Sequence, residues 1–270
     1  MPDDAPLETG YGPAVSPGDN VLNDFVRGTA TSFAAFGRAR GDRVQGIDGV
    51  ATLWDAGSPL PFFNRATIET PVSDLDTLLD TLHAFYGENP GGGPFLLDTA
   101  WPVADLSGRG YTLMGHPPLM LRAADLPLAD PPPELRVIRA DDEQAAFDFE
   151  HVLAYGYPAP PMQPVTKPTV LTGSTLDAEG WHHYVGYVDD RPVTAGSAYV
   201  GDRLVRVDNI ATLDDARGRG YGNAITAAAV ASDLSKPATL IASDLGRPVY
   251  EKLGFVALLR VTYWLGPRTT

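Results

Sequence analysis

Arg217-Gly218-Arg219-Gly220-Tyr221-Gly222, followed by Asn223-Ala-Ile-Thr-Ala-Ala-Ala-Val-Ala-Ser-Asp-Leu234, is the stretch on which the fold turns. Three glycines in six residues let the backbone come close to a ligand, and the alanine-rich run predicts a helix that ends before Lys236-Pro237. The amides of a first helical turn, with the dipole behind them, form a ready anion site, and Arg217 and Arg219 add formal positive charge. The segment lacks the Gly-Lys-Ser/Thr ending of a P-loop, and a plain surface turn rich in Arg and Gly is the alternative reading.

The flanks narrow the choice. His182 to Val188, Pro192 to Val200 and Arg203 to Thr212 are β-rich runs broken by Asp189-Asp190 and Gly201-Asp202, and they predict an antiparallel meander. That arrangement disfavours a parallel dinucleotide-binding unit. Ahead of it, Leu135 to Arg139 predicts a strand, and the acidic start at Asp141 predicts a helix through Phe147, Phe149, Val152 and Leu153. Behind the glycine segment, Thr239 to Ala242 predicts a buried strand, Pro248 to Leu253 a short helix closed by Gly254, and Phe255 to Leu265 a last strand. The order is β-α-β-β-β-α-β-α-β, an α+β class with a mixed sheet.

The same pattern occurs twice. Asn64-Arg65-Ala66-Thr67 matches Asn209-Ile210-Ala211-Thr212, while Phe95-Leu96-Leu97 matches Thr239-Leu240-Ile241 and Gly110-Tyr111 matches Gly254-Phe255, in register to within one residue. A helix is predicted between the first two blocks in each half, so the chain reads as a tandem repeat of one fold. At the positions of Arg217 to Gly222 the first half carries Val72-Ser73-Asp74-Leu75-Asp76-Thr77, acidic and without glycine. Ser73 would cap that helix, and the acids would repel an anion. The N-terminal half is expected to be structural or to shape the substrate site.

The break between halves is placed at Asp125-Leu-Pro-Leu-Ala-Asp-Pro-Pro-Pro133, where successive prolines forbid helix and favour a semi-rigid spacer. The expected divisions are a poorly ordered tail at 1–19, one domain at 20–124, the linker at 125–133 and a second domain at 134–270. The 270 residues are enough for two cores. With no cysteine, there are no disulfides and no thioester to the enzyme, which leaves direct transfer or oxygen and nitrogen nucleophiles. A formal charge of -14 disfavours nucleic acid and would attract a cationic substrate. No long apolar run and no basic-then-apolar start is present, so neither a membrane span nor a signal peptide is expected and the chain reads as cytoplasmic. His151, His182 and His183 lack metal-ligand spacing, and no metal is expected.

Taken together, these segments resemble the GNAT-type N-acetyltransferase superfamily. Its pyrophosphate motif, Arg/Gln-x-x-Gly-x-Gly/Ala at the start of a helix after the fourth strand, is matched by Arg217, Gly220 and Gly222. A later block is matched by Leu240 to Phe255. The likeness covers Leu135 to the C-terminus and is faint over about 141–180; tandem copies with a degenerate first half also occur in this superfamily. The resemblance implies two tandem GNAT-like domains, the first degenerate, and acetyl-coenzyme A as co-substrate. It implies that Ile210, Ala211 and Thr212 face the pantetheine arm, with the amides of Arg219, Gly220, Tyr221, Gly222 and Asn223 and the turn at Arg217 and Gly218 on the pyrophosphate. Ser243 lies in the later block. Tyr250 would protonate the departing thiolate; its first-half counterpart is Leu106, so phenol and glycines are absent together.

For the base that deprotonates the acceptor, Asp208 is the first candidate, although it is equally readable as a solvated strand residue or a partner of Arg206. Relatives often carry a glutamate on this strand, which this one lacks, so Glu150 or a water is the alternative. Tyr155, Tyr157 and Pro158-Ala-Pro-Pro161 are candidates for an acceptor-side lid. The expected activity is acetyl transfer to a primary amine of a small molecule or peptide by direct attack, by a monomer or homodimer. The rival readings are a non-catalytic acyl-coenzyme A-binding regulator and a scaffold without a ligand.

Overall fold

A computed structural model describes residues 17–268 apart from 90, 158 and 245. Helix α1 spans Pro17–Arg40, so the tail expected at 1–19 yields its last three residues to a helix, and residues 1–16 lie outside the described ones. Next come β1 (Arg43–Ile47), β2 (Ala51–Asp55), β3 (Asn64–Ile68), α2 (Leu75–Gly87), β4 (Phe95–Thr99), β5 (Thr112–Gly115) and β6 (Pro118–Arg122). The rest of the chain gives β7 (Arg136–Arg139), α3 (Glu143–Gly156), α4 (Gly173–Leu176), β8 (Trp181–Val188), β9 (Arg191–Val200) and β10 (Val205–Thr212). It closes with α5 (Tyr221–Val230), β11 (Ala238–Ile241), α6 (Arg247–Lys252), β12 (Val256–Arg260) and β13 (Thr262–Gly266). The predicted order of elements in the second half holds, with α4 added. The cap of α2 falls on Asp74 rather than Ser73, because the Asp74 carboxylate accepts from the Thr77 amide at 3.1 Å.

Two sheets form, ordered β1-β2-β3-β4-β13-β5 and β12-β6-β11-β10-β9-β8-β7. In each half the meander is antiparallel, and a crossover helix returns the chain to a parallel partner: β3 beside β4 through α2, β10 beside β11 through α5. The tandem mixed-sheet architecture is therefore present.

The halves are not separable at 125–133, however. β6 pairs with β11 and β12 of the second sheet, while β13 pairs with β4 and β5 of the first, so each half closes the other's sheet. The last strand expected at Phe255–Leu265 is accordingly two strands, broken at Val261, whose amide donates to the Pro117 carbonyl where the segments cross. A cut in the linker would strip an inner strand from both sheets, leaving unpaired backbone edges. The linker itself is held as well: the buried Arg122 guanidinium donates to the carbonyls of Leu126 and Pro127.

Helix α1 joins the two layers, and neither its length nor its packing was anticipated from the sequence. Phe33 stacks on Trp54 with ring centroids 5.7 Å apart, Phe36 meets Trp181 edge-on at 5.4 Å, and one apolar core runs from these residues to Phe149, Val185 and Tyr221. The Trp181 indole donates to the Ser32 carbonyl at 3.1 Å.

Next to this core, His183 is 2% exposed and its Nδ1 lies 2.9 Å from the Ser197 hydroxyl. Burial, and then the charges of Arg139 and His182, hold its imidazole down at about 3, so it is neutral when folded. The unfolded chain takes up that proton near pH 6.5, and the contribution is therefore complete above pH 6.5 and lost as the pH falls toward about 3. Urea titrations between pH 7 and 4 should show a slope of up to roughly 1.4 kcal/mol per pH unit from this residue. His183→Gln should flatten that slope; an unchanged slope would refute the assignment.

Candidate active site

The glycine segment adopts the shape its residues permit. Gly218 and Gly220 have φ of +77° and +85°, left-handed values that side chains disfavour, and Gly220 immediately precedes α5. No acceptor among the described residues takes the amides of Gly218, Arg219, Gly220, Tyr221, Gly222 or Asn223, so six successive N–H groups remain at a helix start. A Cβ on Gly222 would sit 3.5 Å from the Thr212 hydroxyl, which places this turn against the end of β10.

The side chains of the segment do other work. Arg217 donates to the carbonyls of Thr212 (3.2 Å) and Gly156 (2.7 Å) and pairs with Asp214 (2.8 Å), so its guanidinium stitches β10 to α3. Tyr221 is buried and donates to Glu134 at 3.0 Å. Arg219 is exposed.

β10 and β11 share only two register positions, Val205 with Ala238 and Arg206 with Thr239. Beyond them β10 bulges between Asp208 and Ala211, with Asn209 at φ +55°, and diverges from β11 while still following β9. In the first half, β3 and β4 stay paired at four positions, Arg65 to Ile68. The matched tetrapeptides thus occupy different places. Arg65 to Thr67 lie within the closed pair, whereas Asn209, Ile210, Ala211 and Thr212 lie beyond the last paired position of β10 and β11, on the way to the glycine turn. Only the second half has both features.

Two tyrosines and a carboxylate gather at this gap. Tyr250, on α6, packs with Ile210 against the core formed by Met120, Val207 and Phe255. Its phenol is pushed up to about 12, first by burial and then by the negative charge of Asp208. Tyr157 follows the end of α3, where the absence of a side chain at Gly156 lets the helix seat on β10: a Cβ there would meet Ala211 Cβ and Thr212 N at 3.2 Å. Tyr157 keeps 42% of its surface exposed, and its phenol is also raised, by partial loss of solvation, then by Tyr250 and Asp208. Tyr155, by contrast, packs on His151 with ring centroids 4.6 Å apart, on the same helix.

The Asp208 carboxylate accepts from Arg206 at 2.5 Å and from the Asn209 amide at 3.1 Å. The pairing of Asp208 with Arg206 is formed, with 29% of the Asp208 side chain still exposed. The other candidate base is not available: Glu150 is 1% exposed and accepts from the amides of Thr169, Val170 and Leu171 and the Thr169 hydroxyl. It fastens the 169–171 segment to α3. Glu150→Gln should cost about 2–4 kcal/mol in urea unfolding, since the buried donors lose a charged acceptor; a loss no larger than that of an exposed glutamate would contradict this role. Ser243 is exposed, and its hydroxyl accepts from the Gly246 amide at 2.9 Å, closing the turn into α6.

Comparison with known proteins agrees with this geometry. Residues 179–257, from β8 into β12, match the family model for the acetyltransferase (GNAT) domain. No curated protein matches the chain. Among solved structures, a GCN5-related N-acetyltransferase from Kribbella flavida is similar over 92% of this chain and 96% of its own, with TM-score 0.67 and 17% identity. A tandem GNAT protein from the clavulanic acid biosynthesis pathway is similar over 93% and 96%, with TM-score 0.52 and 11% identity. A putative GNAT-family acetyltransferase from Novosphingobium aromaticivorans is similar over 83% and 91%, with TM-score 0.51 and 19% identity. At these identities the likeness is one of fold. The stretch that carries the end of β10 and the glycine turn thus matches the acetyltransferase (GNAT) domain, and the chain as a whole shares the fold of these structures.

Proposed function

We propose that the C-terminal half transfers an acetyl group from acetyl-coenzyme A to a primary amine of a small molecule or peptide, by direct attack. The observation that carries this reading is the divergence of β10 from β11 beside six unpaired amides, a slot for an extended arm ending at a site for its pyrophosphate. In this reading the edge of Ile210, Ala211 and Thr212 holds the pantetheine arm, the turn from Arg217 to Asn223 holds the phosphates by backbone, and Ser243 shapes the turn beside them. No metal takes part.

Tyr250 supplies the proton to the departing thiolate. A phenol held at about 12 stays protonated at neutral pH, and its half-buried ring can donate to a charge formed beside it. Asp208 orients the acceptor ammonium and takes one of its protons, so that the neutral amine attacks the thioester; the second nitrogen proton, released as the amide forms, passes to solvent. The chain works in the cytoplasm, as a monomer or homodimer.

Thermal-shift titration with acetyl-coenzyme A, followed by thiol release on a panel of polyamines, aminoglycosides, amino acids and peptides, tests the reading. Stabilisation with release is expected. Stabilisation without release across the panel would leave a binding protein, and no stabilisation at millimolar ligand would remove the coenzyme site altogether. Within this test, Gly222→Val should weaken the stabilisation, because it sets a branched side chain beside Thr212 in the turn that holds the phosphates in this reading.

A further inference from the structure

The carboxylate at the gap is not positioned by the C-terminal half alone. Arg206, 5% exposed, reaches Asp208 with one guanidinium nitrogen at 2.5 Å and the Ser32 hydroxyl of α1 with the other at 2.9 Å. Its guanidinium lies over the Phe33 ring, 4.2 Å from the centroid. The same ring takes the Arg65 guanidinium of β3 at 4.3 Å, and Arg65 is in turn bound to Asp98 at 2.7 Å and to the Tyr263 hydroxyl at 3.3 Å. Burial makes the Arg206 charge costly and pulls its pKa below the ordinary guanidinium value, against the opposing pull of Asp208.

Such a group keeps its geometry only while its donors and its ring face are all matched. Two of those matches come from α1. Helix α1 is itself tied to the second half by the Trp181 indole on the Ser32 carbonyl and by Arg40 on the Thr169 carbonyl at 2.7 Å. Asp208, at the outer end of this chain of contacts, keeps 29% of its side chain exposed and acts electrostatically on both Tyr250 and Tyr157.

We propose that Ser32 and Phe33 of α1, acting through Arg206, are positioning residues that fix the Asp208 carboxylate for the acceptor amine. The N-terminal region thereby completes the acceptor side of a site whose coenzyme side belongs to the second half. This inference rests on the transferase reading given above. It separates two roles: the clamp touches neither the glycine turn nor the edge of Ile210 to Thr212, so its loss should spare acetyl-coenzyme A.

The test uses the full chain, with Ser32→Ala, Phe33→Leu, Arg206→Gln, Arg206→Lys and Asp208→Asn. It follows thiol release from acetyl-coenzyme A with the most active amine of the panel. Arg206→Gln should lower kcat/KM for the amine by about 10- to 100-fold, the size expected for a lost charge-assisted bond. KM and thermal stabilisation by acetyl-coenzyme A should hold. Ser32→Ala should lower kcat/KM for the amine by about 5-fold, and Arg206→Lys should recover part of the loss. Adding Ser32→Ala to Asp208→Asn should lower it no further, because Ser32 acts through that carboxylate.

The proposal is overturned if Ser32→Ala and Phe33→Leu leave amine kinetics at the wild-type level. Equal losses for amine and coenzyme, or full additivity of Ser32→Ala with Asp208→Asn, overturn it as well. Should Arg206→Gln not fold, the two α1 variants carry the same test. Wild-type chain that binds acetyl-coenzyme A but releases no thiol with any amine would instead bring down the transferase reading, and this inference with it.

Discussion

Arg268→Ala is expected to destabilise the protein by about 3–5 kcal/mol, the range for removing one member of a buried ion pair. The Arg268 guanidinium binds both carboxylate oxygens of Asp55 at 2.9 Å, and the two side chains are 4% and 0% exposed. It also donates to the carbonyls of Tyr86, Asn89 and Gly93. Alanine would leave a carboxylate buried opposite Arg43, which stands 3.8 Å from it, and three carbonyls without this donor. The substitution also releases the end of β13, the strand that the second half lends to the first sheet. Urea unfolding should show a lower midpoint with little change in slope. Arg191→Ala is the control, since its pair with Asp215 is exposed by 54% and 62% and should be worth under about 1 kcal/mol. If both variants cost the same, the anchoring role of Arg268 is wrong.

Tyr250→Phe should carry the largest effect on chemistry, a fall in kcat of about 100-fold or more, as expected for a general acid removed from its leaving group. Binding of acetyl-coenzyme A should persist, because the ring keeps its packing beside Phe255, 6.1 Å away between centroids, and the coenzyme is held by backbone elsewhere. The pH dependence distinguishes this role from damage. A phenol raised to about 12 by burial and by Asp208 does not titrate between pH 6 and 9, so the deficit should be uniform across that range. A deficit confined to one limb, or a Phe variant as fast as wild type, would exclude Tyr250 as the proton donor.

Much of the second half was legible because its signals are local. Glycines at 218 and 220 announce left-handed turns, the alanine run announces α5, and the alternating strands announce the meander. The comparison of Arg217–Gly222 with Val72–Thr77 singled out the turn proposed to hold an anion, since acids at one helix start and glycines at the other are read from residue types alone.

Other features were visible only in part. Asp208 was readable both as a base and as a partner of Arg206; the 2.5 Å contact shows that the pairing forms and leaves the carboxylate partly exposed beside it. Glu150 looks like any helical glutamate until the amides of 169–171 are found around it. Arg217 carries the charge that a phosphate motif calls for, yet its Nε and Nη2 are engaged by the Thr212 and Gly156 carbonyls and the Asp214 carboxylate. Tyr157 was grouped with Tyr155, and the close seating of Gly156 on β10 separates them.

The sequence by itself determined the class of fold, its doubling, the order of elements in the second half and the glycine turn that opens α5, all set by residue type and short-range spacing. The tertiary structure decided the opening between β10 and β11, the exchange of β6 and β13, and the reach of α1 to Arg206. Each of these depends on which backbone edges and buried charges find partners far away in the chain, and no local pattern encodes that.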